Sequence, residues 1–186
     1  MDKTWHSIAE TQVKALSRSF SALQYHNYRL FFFGQCISLI GTWMQNIGQS
    51  WLVLQLTGSA FKLSLVSTIQ FLPMMLFALF AGTLVDRFPK RRVLLFTQGS
   101  LAVLAVILAS LTYFKVVQYW HVLLLALLLG IVNTIDMPTR QSFFSELVEK
   151  KDLMNAIALN SSIFNLARIL GPAVAGLLIG LVGIAV

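Results

Sequence analysis

Three groups of polar residues interrupt an otherwise apolar chain, and their chemistry is charge pairing and hydrogen bonding, not bond making. The first group is Asp86-Arg87-Phe88-Pro89-Lys90-Arg91-Arg92, one acid and four bases between two long apolar runs. A charge held at the centre of a bilayer is costly, so this cluster is expected outside the hydrocarbon. The second group is Gln35, Ser38, Thr42, Gln45 and Gln49, which recur in steps of three and four and form one stripe of a helix, with Asn46 beside it. The third is Arg168, roughly fifteen residues or about 22 Å into the last apolar run at 1.5 Å per residue. No acid between Asp86 and Asp136 or after Asp152 matches its depth, and Ser161, Asn165, Arg168 and Pro172 share a face. Cys36 is the single cysteine, and His6, His26 and His121 have no metal-ligand spacing. With no nucleophile–base pair, metal set or phosphate loop, the sequence supports no enzyme chemistry and calls for no cofactor.

The elements that must carry these groups follow from composition. At 57% hydrophobic, 11% charged and mean hydropathy +0.76, the 186-residue chain is not a soluble globular domain. The net charge of +7 does not point to nucleic acid, because the bases lie between apolar runs and not along a helix face interleaved with aromatics. An all-α membrane protein is expected, with a cytoplasmic segment over 1–28 and a transmembrane helical domain over 29–186. Its spans are placed at about 30–56, 61–85, 93–112, 118–135 and 153–181, each long enough for the ~30 Å hydrocarbon. In the leading segment Trp5, Ile8, Val13, Leu16, Phe20 and Leu23 fit either a helix on the membrane surface or an unstructured tail. Pro73 is expected to kink the second span, and Pro138 to open a connector helix over 138–152 that ends on Asp152 as the N-cap of the fifth span.

Of fourteen Lys and Arg, eleven fall in 1–29, 86–92 and 138–152, whereas Lys62 and Lys115 lie in the alternate turns. The bias of positive charge toward the cytoplasm places the N-terminus there. Gly34, Gly41 and Gly48, seven apart, make a stripe beside the amides that would let another helix approach closely. The amide stripe itself, with Asn133 of the fourth span, reads as cavity lining or as interhelical hydrogen bonding. Arg168 reads as a partner for an anion, or as a brace bonded to carbonyls and amides.

Gly82, Leu84, Asp86, Arg87, Lys90 and Arg91 resemble the loop between the second and third spans of major facilitator superfamily transporters, with Pro89 where that family usually has glycine. Gly171, Pro172 and Gly176 are similar to the fifth-span signature of the superfamily's antiporters, with Ala158, Ala167 and Ala175 standing in for three glycines. Tyr28-Arg-Leu-Phe, Gly41-Thr-Trp-Met-Gln45, Trp51-Leu-Val-Leu and Asp136-x-Pro138-x-Arg140 resemble the enterobactin-exporter-like branch. The resemblance implies twelve spans in two six-helix halves, so the chain reads as an N-terminal fragment of about five spans that lacks its C-terminal half. It further implies a bacterial inner membrane, a small organic substrate such as a siderophore or drug, and export in exchange for protons. Asp86, the loop bases and Asp136 would latch the cytoplasmic side. The arginine that such antiporters often carry in the fourth span is Ala126 here, so a proton route through it is not carried over. The alternative is a short integral-membrane scaffold or a non-functional remnant.

Overall fold

The computed structural model describes residues 20–85 and 87–182. The surface-helix reading at Trp5 to Leu16, the latch acid Asp86 and the closing Gly183 to Val186 lie outside the described residues. Five long helices account for most of the rest: α1 (His26–Thr57), α2 (Ala60–Val85), α3 (Lys90–Tyr113), α4 (Tyr119–Glu146) and α5 (Leu153–Val182). Short 3-10 turns at Ser21–Gln24 and Lys150–Asp152 precede α1 and α5. There is no strand among the described residues. This is the all-helical bundle that composition called for.

Four stretches are long and apolar enough to cross a membrane: Ala60–Thr83, Lys90–Tyr113, Tyr119–Glu146 and Lys150–Leu181. The longest helix, α1, has 32 residues, about 48 Å at 1.5 Å per residue, but is more polar than the others. Large apolar side chains such as Phe61, Met75, Leu79, Phe96 and Leu181 are exposed over the outer surface. A water-facing monomer rarely carries so much apolar surface, whereas lipid tails are an equivalent solvent for it.

Helix ends follow local chemistry. Gly58 closes α1 in the left-handed conformation (φ 58°), and its N–H donates to the Leu54 carbonyl at 2.8 Å. At the start of α4, the Gln118 N–H donates to His121 Nδ1 at 3.0 Å in a capping box. Pro138 does not open a new helix, contrary to expectation. It sits inside α4, which continues to Glu146. One missing donor is a local loss in a long apolar helix, and here Asp136 and Arg140 on either side of the proline are bonded to each other across one turn.

Packing is dominated by two close pairs, α2 with α4 and α1 with α5. Glycine decides both. A Cβ at Gly130 would lie 2.1 Å from the Gln70 carbonyl oxygen of α2, and one at Gly171 would lie 2.4 Å from Trp43 Cβ of α1. The small stripe Ala167, Gly171, Ala175 is buried accordingly. The other expected stripe behaves differently. Gly34, Gly41 and Gly48 have nothing within 4 Å of a notional Cβ among the described residues, because they line cavities.

Candidate functional site

Polar residues of α1 meet those of α3 and α4 in a seam that joins three helices. On α4 the Asp136 carboxylate is buried, with its Oδ1 accepting from Thr97 Oγ1 at 2.6 Å and Gln98 Nε2 at 2.8 Å of α3. Its Oδ2 accepts from Arg140 Nε at 2.5 Å, one helical turn on. Arg140 Nη1 donates to Gln35 Oε1 of α1 at 2.6 Å, and Ser38 Oγ of α1 donates to Gln98 Oε1 at 3.1 Å. The result is a closed circuit: α1 to α3, α3 to α4, α4 back to α1. Thr97 has one hydroxyl proton, and the carboxylate at 2.6 Å is nearer than the Leu94 carbonyl at 3.1 Å. A buried ion pair is tolerated only when its remaining donors and acceptors are also met. Among the described residues no buried side-chain nitrogen or oxygen is left without a partner.

Along α1 the seam opens into a cavity of ≈ 450 Å³ between α1, α3 and α5. Ser38, Thr42, Gln45 and Gln49 line one wall with Gln98, while Ala102, Ala105 and Ala175 line the apolar side. Thr42 Oγ1 is held by the Ser38 carbonyl at 2.9 Å, and Gln49 Nε2 makes a long contact of 3.5 Å with Gln70 Oε1 of α2. Gln35, Ser38 and Gln49 therefore bond across helices while the same stripe faces open volume. The two readings of the stripe are not exclusive. A second cavity of ≈ 620 Å³ continues from Ser38 and Gln98 toward the α3 N-terminus and includes Arg91 and Arg140.

The other expected site residues scatter. Asn46 and Asn133 are half-buried and outside these two cavities. Asn165 is exposed and donates to its own Ser161 carbonyl at 2.9 Å. Arg168 is exposed too, its guanidinium 5.9 Å from the Trp43 ring centre, a cation–π contact where α1 and α5 pack. Gly171 makes that packing possible, Pro172 lies inside α5, and Gly176 faces open space. In the basic loop Lys90 pairs with Glu146 of α4, Arg87 lines a cavity of ≈ 490 Å³ beside Pro73 and Thr134, and Gly82 has open space around it. Asp136, placed by sequence with the loop bases, has its bonds instead with Arg140, Thr97 and Gln98.

Sequence reasoning did not assign Thr97, Gln98 and Arg140 to the site. A signal existed for two of them. Gln98 is an amide inside an apolar helix and must find a partner, and Arg140 is four residues after Asp136, the spacing of a helical ion pair. A second cluster also went unforeseen. Asp152, expected as a helix cap, accepts from Ser21 Oγ at 2.6 Å, Tyr25 OH at 2.8 Å and Gln24 Nε2 at 3.3 Å. Ala22 N–H donates to Asn155 Oδ1 at 2.9 Å, and Tyr28 OH to the Ala156 carbonyl at 3.1 Å. The Ser21 and Tyr25 hydroxyls hold the Asp152 carboxyl below its ordinary value of 3.8.

Long apolar helices wrapped around a buried polar seam define an integral membrane protein of the helical-bundle class. The chain belongs to the transmembrane secretion effector family, whose pattern matches residues 17–186, within the major facilitator superfamily. It is 31% identical over 152 residues to the staphyloferrin A transporter of Staphylococcus aureus, covering 81% of this chain and 38% of that protein. It is 33% identical over 161 residues to the multidrug efflux pump Tap of Mycobacterium tuberculosis, with 83% and 38% covered. Against the macrolide efflux protein A of Streptococcus pyogenes it is 26% identical over 159 residues, with 83% and 39% covered. The chain thus spans about two fifths of the length of these relatives. No solved structure matches it. The superfamily membership carried by the Gly82 to Arg91 pattern is borne out.

Proposed function

We propose that this chain is the N-terminal part of a secondary active transporter that exports a small organic molecule across the bacterial inner membrane in exchange for protons. One observation carries the reading. The helix with the most amides and hydroxyls, α1, presents Ser38, Thr42, Gln45 and Gln49 to a ≈ 450 Å³ cavity inside a bundle whose outside is apolar. Polar groups at that position bind a solute more readily than they serve lipid, and their lack of formal charge suits a neutral or amphipathic molecule. The names of the relatives, a staphyloferrin A transporter, a macrolide efflux protein and a multidrug efflux pump, support transport of a small organic molecule. Proton exchange rests on the antiporter-like run Gly171-Pro172 to Gly176. In this reading the chain crosses the membrane five times, α1 included, with its N-terminus in the cytoplasm, and a C-terminal half completes the solute path. Substrate sits between halves that rock about it.

The experiment is export from proteoliposomes holding the whole transporter under an imposed proton gradient. Gln45→Ala and Gln49→Ala should lower export with insertion unchanged. Equal export by both variants and the parent would remove the α1 wall from the solute path. Arg168 is tested in the same assay. If it holds an anionic group, Arg168→Lys keeps part of the flux and Arg168→Gln almost none.

A further inference from the structure

We propose that the second cavity, at the α3 N-terminal end of the bundle, is a binding site for an anionic phospholipid headgroup. Its walls come from α1, α3 and α4, and its volume is ≈ 620 Å³. Two arginines line it, and among its described lining residues there is no carboxylate. Arg91 is exposed and has no ion pair or hydrogen bond among the described residues. Arg140 is already committed through Nε to Asp136 and through Nη1 to Gln35. A guanidinium has five N–H donors, so three remain. Nη2 has no partner among the described residues and is not a buried atom, so it is open on the side of the cavity that Arg140 lines. Asn27 and Gln35 add neutral polar groups.

Asp136 balances the charge of Arg140 from behind, and Glu146 is taken by Lys90. Among the described residues Arg91 is therefore the lining charge without a paired carboxylate, and the planar forks of two arginines suit the tetrahedral oxygens of a phosphate. Lipid is the source because of the mouth. Leu30 of α1 and Leu95 of α3 line the cavity while being 61% and 68% exposed. A soluble anion gains nothing from those leucines, whereas acyl chains descending from a seated headgroup lie against them. Basic pockets between spanning helices near a membrane surface bind anionic headgroups on this principle. The site meets the first cavity at Ser38 and Gln98, but neither arginine lines that cavity, and the proposal stands whether or not its amide wall binds solute.

The test uses the chain as it stands, purified in a non-ionic detergent and examined by native mass spectrometry. Equal amounts of dioctanoyl phosphatidylglycerol and dioctanoyl phosphatidylcholine compete for it. The phosphatidylglycerol adduct should dominate. Arg91→Gln should reduce that preference about fivefold, the equivalent of ~1 kcal/mol for one arginine near a membrane surface, and Arg91→Lys should restore most of it. Leu95→Gln should lower the occupancy of both lipids. Equal adducts of the two lipids, or a preference unchanged in Arg91→Gln, would overturn the proposal. Displacement of phosphatidylglycerol by millimolar inorganic phosphate would show a site for a free anion and overturn the lipid assignment. A lipid-free dimer abolished by Leu95→Gln would assign the groove to a second copy, with the same consequence.

Discussion

The two ends of the bundle are held by opposite means. At the end carrying the Gly58 and Phe114–Lys115 turns, Leu52 and Val53 of α1, Val66 of α2, Leu108 of α3 and Leu125 and Leu129 of α4 form one apolar cluster. At the other end a smaller cluster around Ala22, Tyr28 and Phe144 is flanked by two carboxylates, Asp136 and Asp152, with three side-chain donors each. Apolar packing is non-directional and tolerates sliding, whereas a charge-assisted hydrogen bond is made or lost over a few tenths of an ångström. The apolar end has no discrete bonds to exchange. The other has discrete bonds that a conformational change could exchange for different ones, which is what a gate requires.

The comparison breaks most sharply at Asp136. Asp136→Ala leaves the half-buried Arg140 without its carboxylate and is expected to destabilise the bundle by up to about 3–5 kcal/mol, the cost for a fully buried charge. Asp136→Ala combined with Arg140→Met should recover most of that loss, since an apolar pair replaces a buried ionic one without an orphaned charge. Denaturation in mixed micelles followed by tryptophan fluorescence measures both. A double variant as unstable as the single one would mean that the circuit through Gln35 and Gln98, not the ion pair, carries the stability.

At the opposite end, Leu125→Ala is expected to cost about 2–5 kcal/mol, and no second substitution nearby should rescue it short of refilling the volume. A loss well under 1 kcal/mol in the same unfolding measurement would show that this end is loosely packed.

Asp152 sharpens the comparison through pH. Its folded-state value is lowered, first by the Ser21 hydroxyl and then by Tyr25. A lowered carboxyl contributes stability that is fully present above its unfolded value, near 3.8, and is lost as pH falls through the folded value below it. Spin labels at Phe20 and Met154, on a Cys36→Ser background, should keep one narrow distance from pH 7 to about 4 and broaden only below. Asp152→Asn should be broad throughout. A parent distribution that broadens between pH 7 and 5 would assign the clasp to another group.

The smallest effect is expected at Lys90 and Glu146. Glu146 is 55% exposed, so Lys90→Gln should change stability by only ~0–1 kcal/mol in the same assay. A larger loss would show that the loop pair works with the Asp136 circuit as one unit.

Much of this protein was legible in its residues because membranes restrict what a chain can do. Runs of apolar residues broken by Thr57-Gly58, by Arg87 to Arg92 and by Lys115 had to become helices and turns, since lipid leaves no partner for an unbonded backbone, whereas the break expected at Pro138 fell later, after Glu146. The Gly82 to Arg91 pattern was enough to place the superfamily. Sequence also determined that the amides of α1 needed partners. It could not determine which, because helix periodicity gives the face of a residue and not the neighbour across from it. Only the tertiary structure decided that Gln35 meets Arg140, that Ser38 meets Gln98 and that Asp136 turns inward to Thr97. It also decided between two glycine stripes that look alike in sequence. Gly171 is pressed against Trp43 because α1 and α5 cross there, while Gly41 and Gly48 face a cavity because no described helix fills it. Spacing along one helix is local information, and contact between helices 40 to 130 residues apart is set by how all five pack at once.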